Sequence, residues 1–317
     1  MTRLRVIWNY DAATPLRRAF AGLADRGLDV LVCPESDDAR LFTLLPDADV
    51  LWHCLRPVDA QVLDAAPRLR LVQKIGVGVN TIDLVRASER GVAVCNMPGT
   101  NSRAVAEHAL ALMLAVLRQV PQFDQDVRAG FGWSWNPDRQ GGLGEIGGRT
   151  VGLIGYGAVP RLLAPVLQAL GARVLYTSRA PKDDAAAEWC TLPQLLAQAD
   201  IVSLHLPLNP ATARVMDGAA FARMRPGSIL INTARGGLVD EPALLHALSS
   251  GHLAGAGLDV FSDEPLPLPH RLTDLPNVVL APHVAWLTGE TLARSIDVAA
   301  DNCLRLLAGE TLRFRVA

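Results

Sequence analysis

Short apolar runs alternate with helical stretches along most of the chain, and this alternation restricts the fold more than any other feature of the sequence. Such runs predict buried strands. The predicted strands of a first series lie at residues 4–8, 29–33, 50–55, 69–75 and 92–96, and those of a second series at residues 150–154, 173–177, 201–206, 228–232, 255–260 and 278–281. Because alternating strands and helices build parallel sheets, the sequence predicts an α/β protein with two doubly wound parallel-sheet domains.

The length of the chain also favours two domains, because 317 residues exceed the size at which one hydrophobic core usually stops growing. Half of the residues are hydrophobic and 20% are charged, a composition typical of a globular protein. The formal net charge of −2 provides no basic surface for nucleic acid or for an anionic membrane. A small molecule is therefore the expected partner.

The cysteines and the N-terminus exclude further classes of protein. The five cysteines are odd in number and include no CxxC pair, so we expect neither a disulfide framework nor a metal site. Residues 1–8 lack the apolar stretch of a secretory signal, and no run of about 18 uncharged apolar residues predicts a membrane span. We expect a cytoplasmic protein.

One long helix is predicted from Asn101 or Ser102 to about Val120, since either polar residue suits the N-cap position. Beyond its first turn, apolar side chains cover nearly the whole circumference, which predicts burial on several sides. The apolar surface of this helix is larger than a contact with one domain would bury, so we expect a second copy of the chain to cover the rest in a homodimer. Residues 128–142, rich in Gly and Trp, are predicted to form a loop near a domain boundary.

A glycine-rich turn opens the second series of strands. Gly155 and Gly157 suit the tight turn at which backbone N–H groups bind a pyrophosphate, although Pro160 replaces the third glycine of the dinucleotide fingerprint. A simple strand-to-helix turn is the alternative interpretation. The next strand leads into Ser178 and Arg179, where NAD enzymes carry an acid for the ribose hydroxyl. A hydroxyl and a guanidinium suit a 2′-phosphate, so NADP is the expected cofactor, with NAD as the alternative. For Arg179 itself, the alternative interpretation is an ordinary solvated arginine.

Three polar segments follow strands of the second series, at the edge where open α/β sheets bind ligands. They contain Arg235, Glu264 and His283. Reduction of a ketone by hydride needs a proton for the developing alkoxide, and histidine suits this role because its side chain titrates near neutral pH. A carboxylate orients the imidazole, and an arginine binds a substrate carboxylate and polarises the carbonyl. Taken singly, each residue is more often a surface or capping residue, so the combination carries the prediction.

The segments INTARGGLVDE (231–241), GLDVFSDEP (257–265) and APH (281–283) resemble the signatures of the D-isomer-specific 2-hydroxyacid dehydrogenases. KIGVGVNTID (74–83) and PGTNSRAVAE (98–107) extend the resemblance over nearly the whole chain. It implies a Rossmann-type coenzyme domain, residues 100–286, inserted into a flavodoxin-like substrate domain, residues 1–99 and 287–317. It also implies an NADP-dependent oxidoreductase acting on a 2-oxo or D-2-hydroxy acid such as glyoxylate, hydroxypyruvate or a bulkier acid.

The resemblance assigns roles that spacing alone does not assign. It implies that Arg235 binds the substrate, that Glu264 orients the histidine and that His283 is the acid and base. Backbone N–H groups of Val77 and Gly78 would bind the substrate carboxylate. The implied cofactor contacts are Gly155, Tyr156, Gly157, Ala158, Val159, Pro160, Ser178, Arg179, His205, Pro207, Thr212, Thr233, Ala234 and Asp259. For His205, a strand-end histidine with a structural role is an equally good interpretation.

Two further residues bear on substrate choice. Trp286 resembles a tryptophan of the C-terminal binding protein corepressors, relatives of these dehydrogenases, and Lys74 stands where they carry an arginine. Both are predicted to bind substrate; a core tryptophan and a solvated lysine are the alternatives. A nucleotide-sensing scaffold of the corepressor type is a second functional hypothesis, which the intact Arg, Glu and His disfavour. A phosphite dehydrogenase is a third, disfavoured because those enzymes carry a lysine where Val77 stands.

Overall fold

The chain divides into two compact units in a computed structural model that describes residues 3–133 and 141–317. The terminal unit comprises the chain up to Asn101 and from Thr288 onward, and the central unit comprises Ser102–Leu287. Residues 134–140 of the predicted loop lie outside the described residues. Each unit contains a parallel sheet, which confirms the predicted fold class.

The terminal unit contains the strands β1 (Leu4–Asn9), β2 (Leu28–Cys33), β3 (Val50–His53), β4 (Leu71–Lys74) and β5 (Ala93–Cys95) and the helices α1 (Thr14–Ala21), α2 (Asp38–Leu44), α3 (Ala60–Asp64) and α4 (Leu84–Glu89). The strand order is β2-β1-β3-β4-β5, the flavodoxin-like order. Asp37, Asp59 and Asp83 each accept a backbone N–H at the start of α2, α3 or α4. These N-caps explain where the three helices begin.

The central unit contains the strands β6 (Thr150–Ile154), β7 (Arg173–Thr177), β8 (Glu188–Trp189), β9 (Ile201–Leu204), β10 (Ser228–Asn232), β11 (Leu253–Leu258) and β12 (Val278–Leu280) and the helices α5 (Ser102–Arg118), α6 (Val120–Arg128), α7 (Ala158–Ala169), α8 (Leu192–Gln198), α9 (Gly218–Arg223) and α10 (Glu241–Ser249). The strand order is β12-β11-β10-β9-β6-β7-β8. The direction of strand addition reverses between β6 and β9, and ligands of open α/β sheets bind at the carboxyl ends of the strands at such a point.

One more helix, α11 (Gly289–Ala308), returns the chain to the terminal unit. Its Asn302 is fully buried, donates to Gln73 Oε1 at 2.7 Å and accepts the backbone N–H of Arg313 at 2.8 Å. Gln73 lies in β4. The buried amide pair therefore joins the last helix to the sheet of the first third of the chain, and a buried pair of this kind is costly to break because each amide would lose its partner.

The central unit itself buries most of the apolar surface of α5, while Leu114 stays 38% exposed. Ala109, Leu112 and Met113 belong to one of its hydrophobic clusters. A Cβ added to Gly257 of β11 would lie only 2.9 Å from Leu112 Cβ, so the helix packs directly on this strand. Since the fold of one chain buries Ala109, Leu112 and Met113, these side chains supply no argument for a dimer.

Helix α6 follows α5 after Gln119, which has a left-handed backbone (φ 50°), and it is absent from the sequence-based prediction. Val120 and Val127 of α6 are exposed. Val120, Phe123 and Val127 have helical spacing, but the helix has only nine residues and carries Pro121 in its first turn, so the pattern is too short to be recognised easily. Among the residues described, no single helix is long and apolar enough to cross a membrane; α5 and α6 reach that length and composition only as a pair bent by 61°.

Candidate active site

The glycine turn after β6 requires glycine at its first position. Gly155 has a left-handed φ of 98°, and a Cβ there would lie 2.6 Å from the backbone oxygen of His205. Only glycine combines this backbone conformation with so close an approach. The turn therefore lies tightly against the end of β9, as a dinucleotide-binding turn at the switch point requires.

The start of α7 fits a phosphate group. Gly157 is its N-cap and provides no side-chain hydrogen bond to the first turn, while Gly157 and Ala158 are exposed. Uncapped amide N–H groups at a helix N-terminus attract an anion. A Cβ on Gly157 would meet no atom within 4 Å, so open space lies beside these amides. The residues present thus fit the pyrophosphate of a dinucleotide.

His205 lies at the end of β9 beside this turn. Burial lowers the pKa of its imidazole to about 3, so the ring is neutral at neutral pH. Its Nε2 is buried and has no hydrogen-bond partner among the described residues. A buried polar atom without a partner is uncommon. This one lies beside the glycine turn, and the contact of His205 with a cofactor stays a prediction.

The other predicted cofactor residues lie on loops after strands of the same sheet. Thr212 Oγ donates to the Pro207 carbonyl at 2.6 Å and so shapes the segment after β9. Asn232 accepts the N–H of Ala234 at 3.0 Å and shapes the turn after β10, where the Thr233 hydroxyl is buried without a partner among the described residues. The positions Tyr156, Val159 and Pro160 lie at or just after the glycine turn. The contacts of these residues with a nucleotide stay predictions.

Ser178 and Arg179 follow β7, as the sequence predicts. Arg179 is exposed and makes no hydrogen bond or ion pair within the described part of the chain, so its guanidinium is available to a ligand. Ser178 Oγ donates to the Ala180 carbonyl at 2.5 Å. The nearby acid Asp184 is engaged in a bidentate ion pair with Arg161, with nitrogen–oxygen distances of 2.6 and 2.9 Å. Ser178, and not an acid, stands where NAD enzymes carry the residue that binds the ribose hydroxyl.

Glu264 and His283 form the central hydrogen bond of the site, with 2.6 Å between Glu264 Oε2 and His283 Nδ1. Glu264 Oε1 accepts the backbone N–H of Phe261 at 2.9 Å, which fixes the carboxylate. Burial alone would raise the pKa of the Glu264 carboxyl, but the hydrogen bond and charge of His283, the Phe261 N–H and the charge of Arg235 bring this pKa below its ordinary value. An ionised carboxylate only accepts hydrogen bonds, so Nδ1 carries a proton and Nε2 is left to exchange one.

The backbone holds His283 in an uncommon conformation. Its φ is 55°, in the left-handed region that side-chain-bearing residues rarely adopt. Its N–H donates to the Asp259 carbonyl at 2.8 Å, and the buried Asp259 carboxylate accepts the N–H groups of Val284 and Ala285, each at 2.9 Å. Strain of this kind persists only where surrounding contacts determine the conformation, and it concentrates at functional sites.

Arg235 lies in the turn after β10, where its neighbour Gly236 permits close packing. A Cβ on Gly236 would overlap the Phe261 carbonyl group, at 1.9 Å. The turn that carries Arg235 therefore lies directly against the segment that leads to Glu264. Burial lowers the pKa of the Arg235 guanidinium while the Glu264 charge opposes the shift, and the group stays protonated at physiological pH. The structure brings Arg235, Glu264 and His283 together in the central unit.

His108 is a neighbour of this site that the sequence reasoning missed. It lies on α5, and its Nε2 is 3.3 Å from an oxygen of the Asp259 carboxylate. Asp259 is fully buried and orders the backbone after His283, so His108 packs against the carboxylate that holds this loop. The only feature of the sequence that could have revealed this contact is the polar pair Glu107 and His108 inside a largely apolar helix.

Trp286 follows in the same segment, and its indole N–H donates to the His283 carbonyl at 3.1 Å. Its side chain is 7% exposed. The tryptophan therefore helps to hold the histidine, and little of its surface is accessible. Its predicted role in substrate choice stays a prediction.

The remaining predicted substrate residues lie in the terminal unit. Val77 is exposed, and its carbonyl accepts the side-chain amide of Asn96 at 3.0 Å, which fixes the loop that includes Gly78. Lys74 is 6% exposed, and its ammonium donates to the Cys54 carbonyl. Lys74 is thus not the solvated end of a strand. The substrate roles of these three residues stay predictions.

Together these features define a class of protein, a two-unit α/β protein with an NAD(P)-binding sheet. The sequence profile of the NAD-binding domain of the D-isomer specific 2-hydroxyacid dehydrogenases matches residues 110–285, more than half of the chain. The chain belongs to this family, as the signature segments predict.

Relatives of known sequence and structure agree with this assignment. The D-3-phosphoglycerate dehydrogenase of Mycobacterium bovis is 42% identical over 279 residues, which cover 86% of this chain and 52% of that protein. The chain thus spans about half the length of such relatives. The glyoxylate reductase of Korarchaeum cryptofilum is 40% identical over 271 residues, 83% of this chain and 81% of that protein. An NADPH-dependent glyoxylate/hydroxypyruvate reductase from Sinorhizobium meliloti, solved with NADP and malonate, has a TM-score of 0.84 and 30% identity, with coverage of 100% of this chain and 97% of that chain.

Proposed function

We propose that this protein transfers a hydride between NADP(H) and the C2 atom of a small 2-oxo or D-2-hydroxy acid. The observation that carries this proposal is the hydrogen bond between His283 and Glu264, formed beside the half-buried Arg235 at the carboxyl edge of the nucleotide-binding sheet. A bound NADPH would supply the hydride. The protein has to supply a proton and to neutralise the charge that develops on the substrate oxygen.

His283 is the proton donor in this proposal. Its Nδ1 is held by Glu264, so Nε2 gives a proton to the carbonyl oxygen during reduction and takes it back during oxidation. The Glu264 carboxylate keeps the imidazole in this tautomer and stabilises its charged form. Arg235 contributes a fixed positive charge toward the substrate carboxylate and carbonyl, and its burial strengthens that charge because water screens it less.

NADP(H) rather than NAD(H) is the proposed cofactor. In support, Arg179 is exposed and makes no hydrogen bond or ion pair among the described residues, and the neighbouring Asp184 is paired with Arg161. A guanidinium binds a phosphate with charge-assisted hydrogen bonds. The Sinorhizobium reductase, which resembles this chain along its whole length, is NADPH-dependent.

The proposed reaction is tested by the rate of NADPH oxidation with a graded panel of 2-oxo acids, from glyoxylate and hydroxypyruvate to acids with longer side chains. We expect turnover with at least one acid of the panel and none with simple aldehydes, which lack the carboxylate that Arg235 would bind. If no acid of the panel is reduced while NADPH still binds, the proposed reaction is wrong.

Trp286 is expected to favour acids with longer side chains. Each methylene buried against the indole contributes ~0.8 kcal/mol, so two or three more carbons would raise kcat/KM roughly ten- to fiftyfold over glyoxylate. Trp286→Ala should remove this preference, and Trp286→Phe, which keeps a ring but loses the N–H to His283, should keep most of it. An unchanged ranking of the acids in Trp286→Ala would leave Trp286 with a structural role only.

We also propose that the chain forms a homodimer through exposed apolar residues in and after α6. Val127 is 56% exposed, and Phe131 and Trp133 are 67% and 95% exposed. Apolar groups clustered in this way mark interaction surfaces. Light scattering should give twice the chain mass of 33.9 kDa, and Val127→Asp should shift the protein toward the single-chain mass. A single-chain mass for the wild type at micromolar concentration would contradict dimerisation.

A further inference from the structure

Two tyrosines with closely packed, tilted rings lie beside the predicted cofactor site, and the proposed reaction gives their hydroxyl groups no role. Tyr156 belongs to the glycine turn and Tyr176 to β7. Their ring centroids are 4.2 Å apart, with ring planes inclined at 35°. Both side chains are buried, at 6% and 1% exposed. The tyrosine pair thus connects the turn that would bind the pyrophosphate to the strand that leads into Ser178 and Arg179.

Both hydroxyl groups accept hydrogen bonds from the loop at residues 178–186. Tyr176 Oη accepts the backbone N–H of Lys182 at 2.7 Å, and Tyr156 Oη accepts that of Ala186 at 3.1 Å. This loop, called the 178–186 loop below, begins with the two residues proposed to bind the 2′-phosphate. Because the tyrosine rings are fixed in the core, their hydroxyls fix the path of an exposed loop.

Further contacts hold the same loop. Arg161 pairs with Asp184, and its guanidinium carbon lies 5.4 Å from the ring centroid of Tyr156. The Arg161 hydrogen bond holds the pKa of the Asp184 carboxyl below its usual range, so this carboxylate stays ionised and paired. Trp189 Nε1 donates to the Ser178 carbonyl at 3.3 Å. The loop is therefore held at its start, middle and end.

We propose that Tyr156 and Tyr176 are positioning residues that determine cofactor specificity. Their hydroxyl groups hold the 178–186 loop in place before a nucleotide binds, so that Ser178 and Arg179 are already placed for a 2′-phosphate. This inference rests on the proposed preference for NADP(H). A loop that has to be ordered on binding costs affinity through lost conformational entropy. The guanidinium of Arg179 makes its charge-assisted contacts only with a 2′-phosphate, so a displaced loop weakens NADP⁺ binding and leaves NAD⁺ binding largely unchanged.

The test compares equilibrium dissociation constants of NADP⁺ and NAD⁺, measured by calorimetry without substrate, for the wild type, Tyr156→Phe and Tyr176→Phe. Phenylalanine keeps the packed ring pair and removes only the hydroxyl group that accepts the hydrogen bond. We expect each variant to bind NADP⁺ about 3- to 10-fold more weakly and NAD⁺ within about twofold of the wild type. Tyr10→Phe is the matched control, since Tyr10 is the one other tyrosine of the chain and lies in the terminal unit. It should leave both constants unchanged.

Three results would overturn the inference, and each identifies a different step of it as wrong. If Tyr156→Phe and Tyr176→Phe both bind NADP⁺ as tightly as the wild type, the hydroxyls do not position the loop and the cofactor preference stands. If they weaken NADP⁺ and NAD⁺ equally, the tyrosines stabilise the site without setting specificity. If the wild type binds NADP⁺ no more tightly than NAD⁺, the proposed cofactor preference fails and the inference fails with it. Thermal unfolding of each variant confirms that the protein compared is folded.

Discussion

Replacing His283 with alanine is expected to lower kcat by about 10²- to 10⁴-fold, the usual contribution of a positioned general acid. The side chain that donates the proton is lost, while the fold should remain because the Asp259 carbonyl and carboxylate accept backbone N–H groups of this segment, not the imidazole. The measurement is steady-state NADPH oxidation with the best 2-oxo acid at saturating cofactor. His246→Ala is the matched control, since His246 is an exposed histidine on α10. It should keep the wild-type rate.

The same experiment tests whether His283 and Glu264 act as one unit. Glu264→Ala should also lose turnover, because the imidazole is then free to adopt the wrong tautomer. The double variant should be no slower than His283→Ala alone, since Glu264 acts through the histidine. Losses that multiply in the double variant would show that Glu264 has an independent role. A folded His283→Ala protein with wild-type turnover would show that another group donates the proton.

The second large effect concerns the cofactor. We expect the wild type to use NADPH roughly ten- to hundredfold more efficiently than NADH in kcat/KM, since a charge-assisted contact contributes ~1.5–3 kcal/mol. Arg179→Asp should reverse this order, because the new carboxylate repels a 2′-phosphate and accepts hydrogen bonds from ribose hydroxyls. Arg223→Asp makes the same change of charge on the exposed end of α9 and should leave the preference unchanged. Equal kcat/KM values for NADPH and NADH in the wild type would contradict the proposed preference for NADP(H).

The sequence predicts the strands well because buried parallel strands are nearly continuous apolar runs. Thr150–Ile154, Arg173–Thr177 and Ser228–Asn232 have the predicted bounds. The two-residue strand Glu188–Trp189 is missed, since it is exposed and carries no apolar run. Helix α6 is missed because it has only nine residues, with Pro121 in its first turn, although Val120, Phe123 and Val127 have helical spacing.

The site is predictable where its residues follow strands and unpredictable where it depends on contacts between distant segments. Arg235, Glu264 and His283 each follow a predicted strand, so topology brings them to one edge. The contact of His108 with Asp259 requires α5 to cross β11, which no local pattern encodes. Nor does any local pattern show that Tyr156 and Tyr176 hold one loop, because the hydrogen bonds depend on how that loop folds back.

The central claim is that this protein moves a hydride directly from the nicotinamide to C2 of a 2-oxo acid while His283 supplies the proton. The most direct measurement uses NADPH carrying deuterium at both C4 positions, with a 2-oxo acid, in ordinary water, followed by mass spectrometry of the 2-hydroxy acid formed. The account predicts one deuterium bound to C2 and an exchangeable proton on the new hydroxyl group. A 2-hydroxy acid without deuterium at C2, formed while the labelled NADPH is consumed, would contradict it.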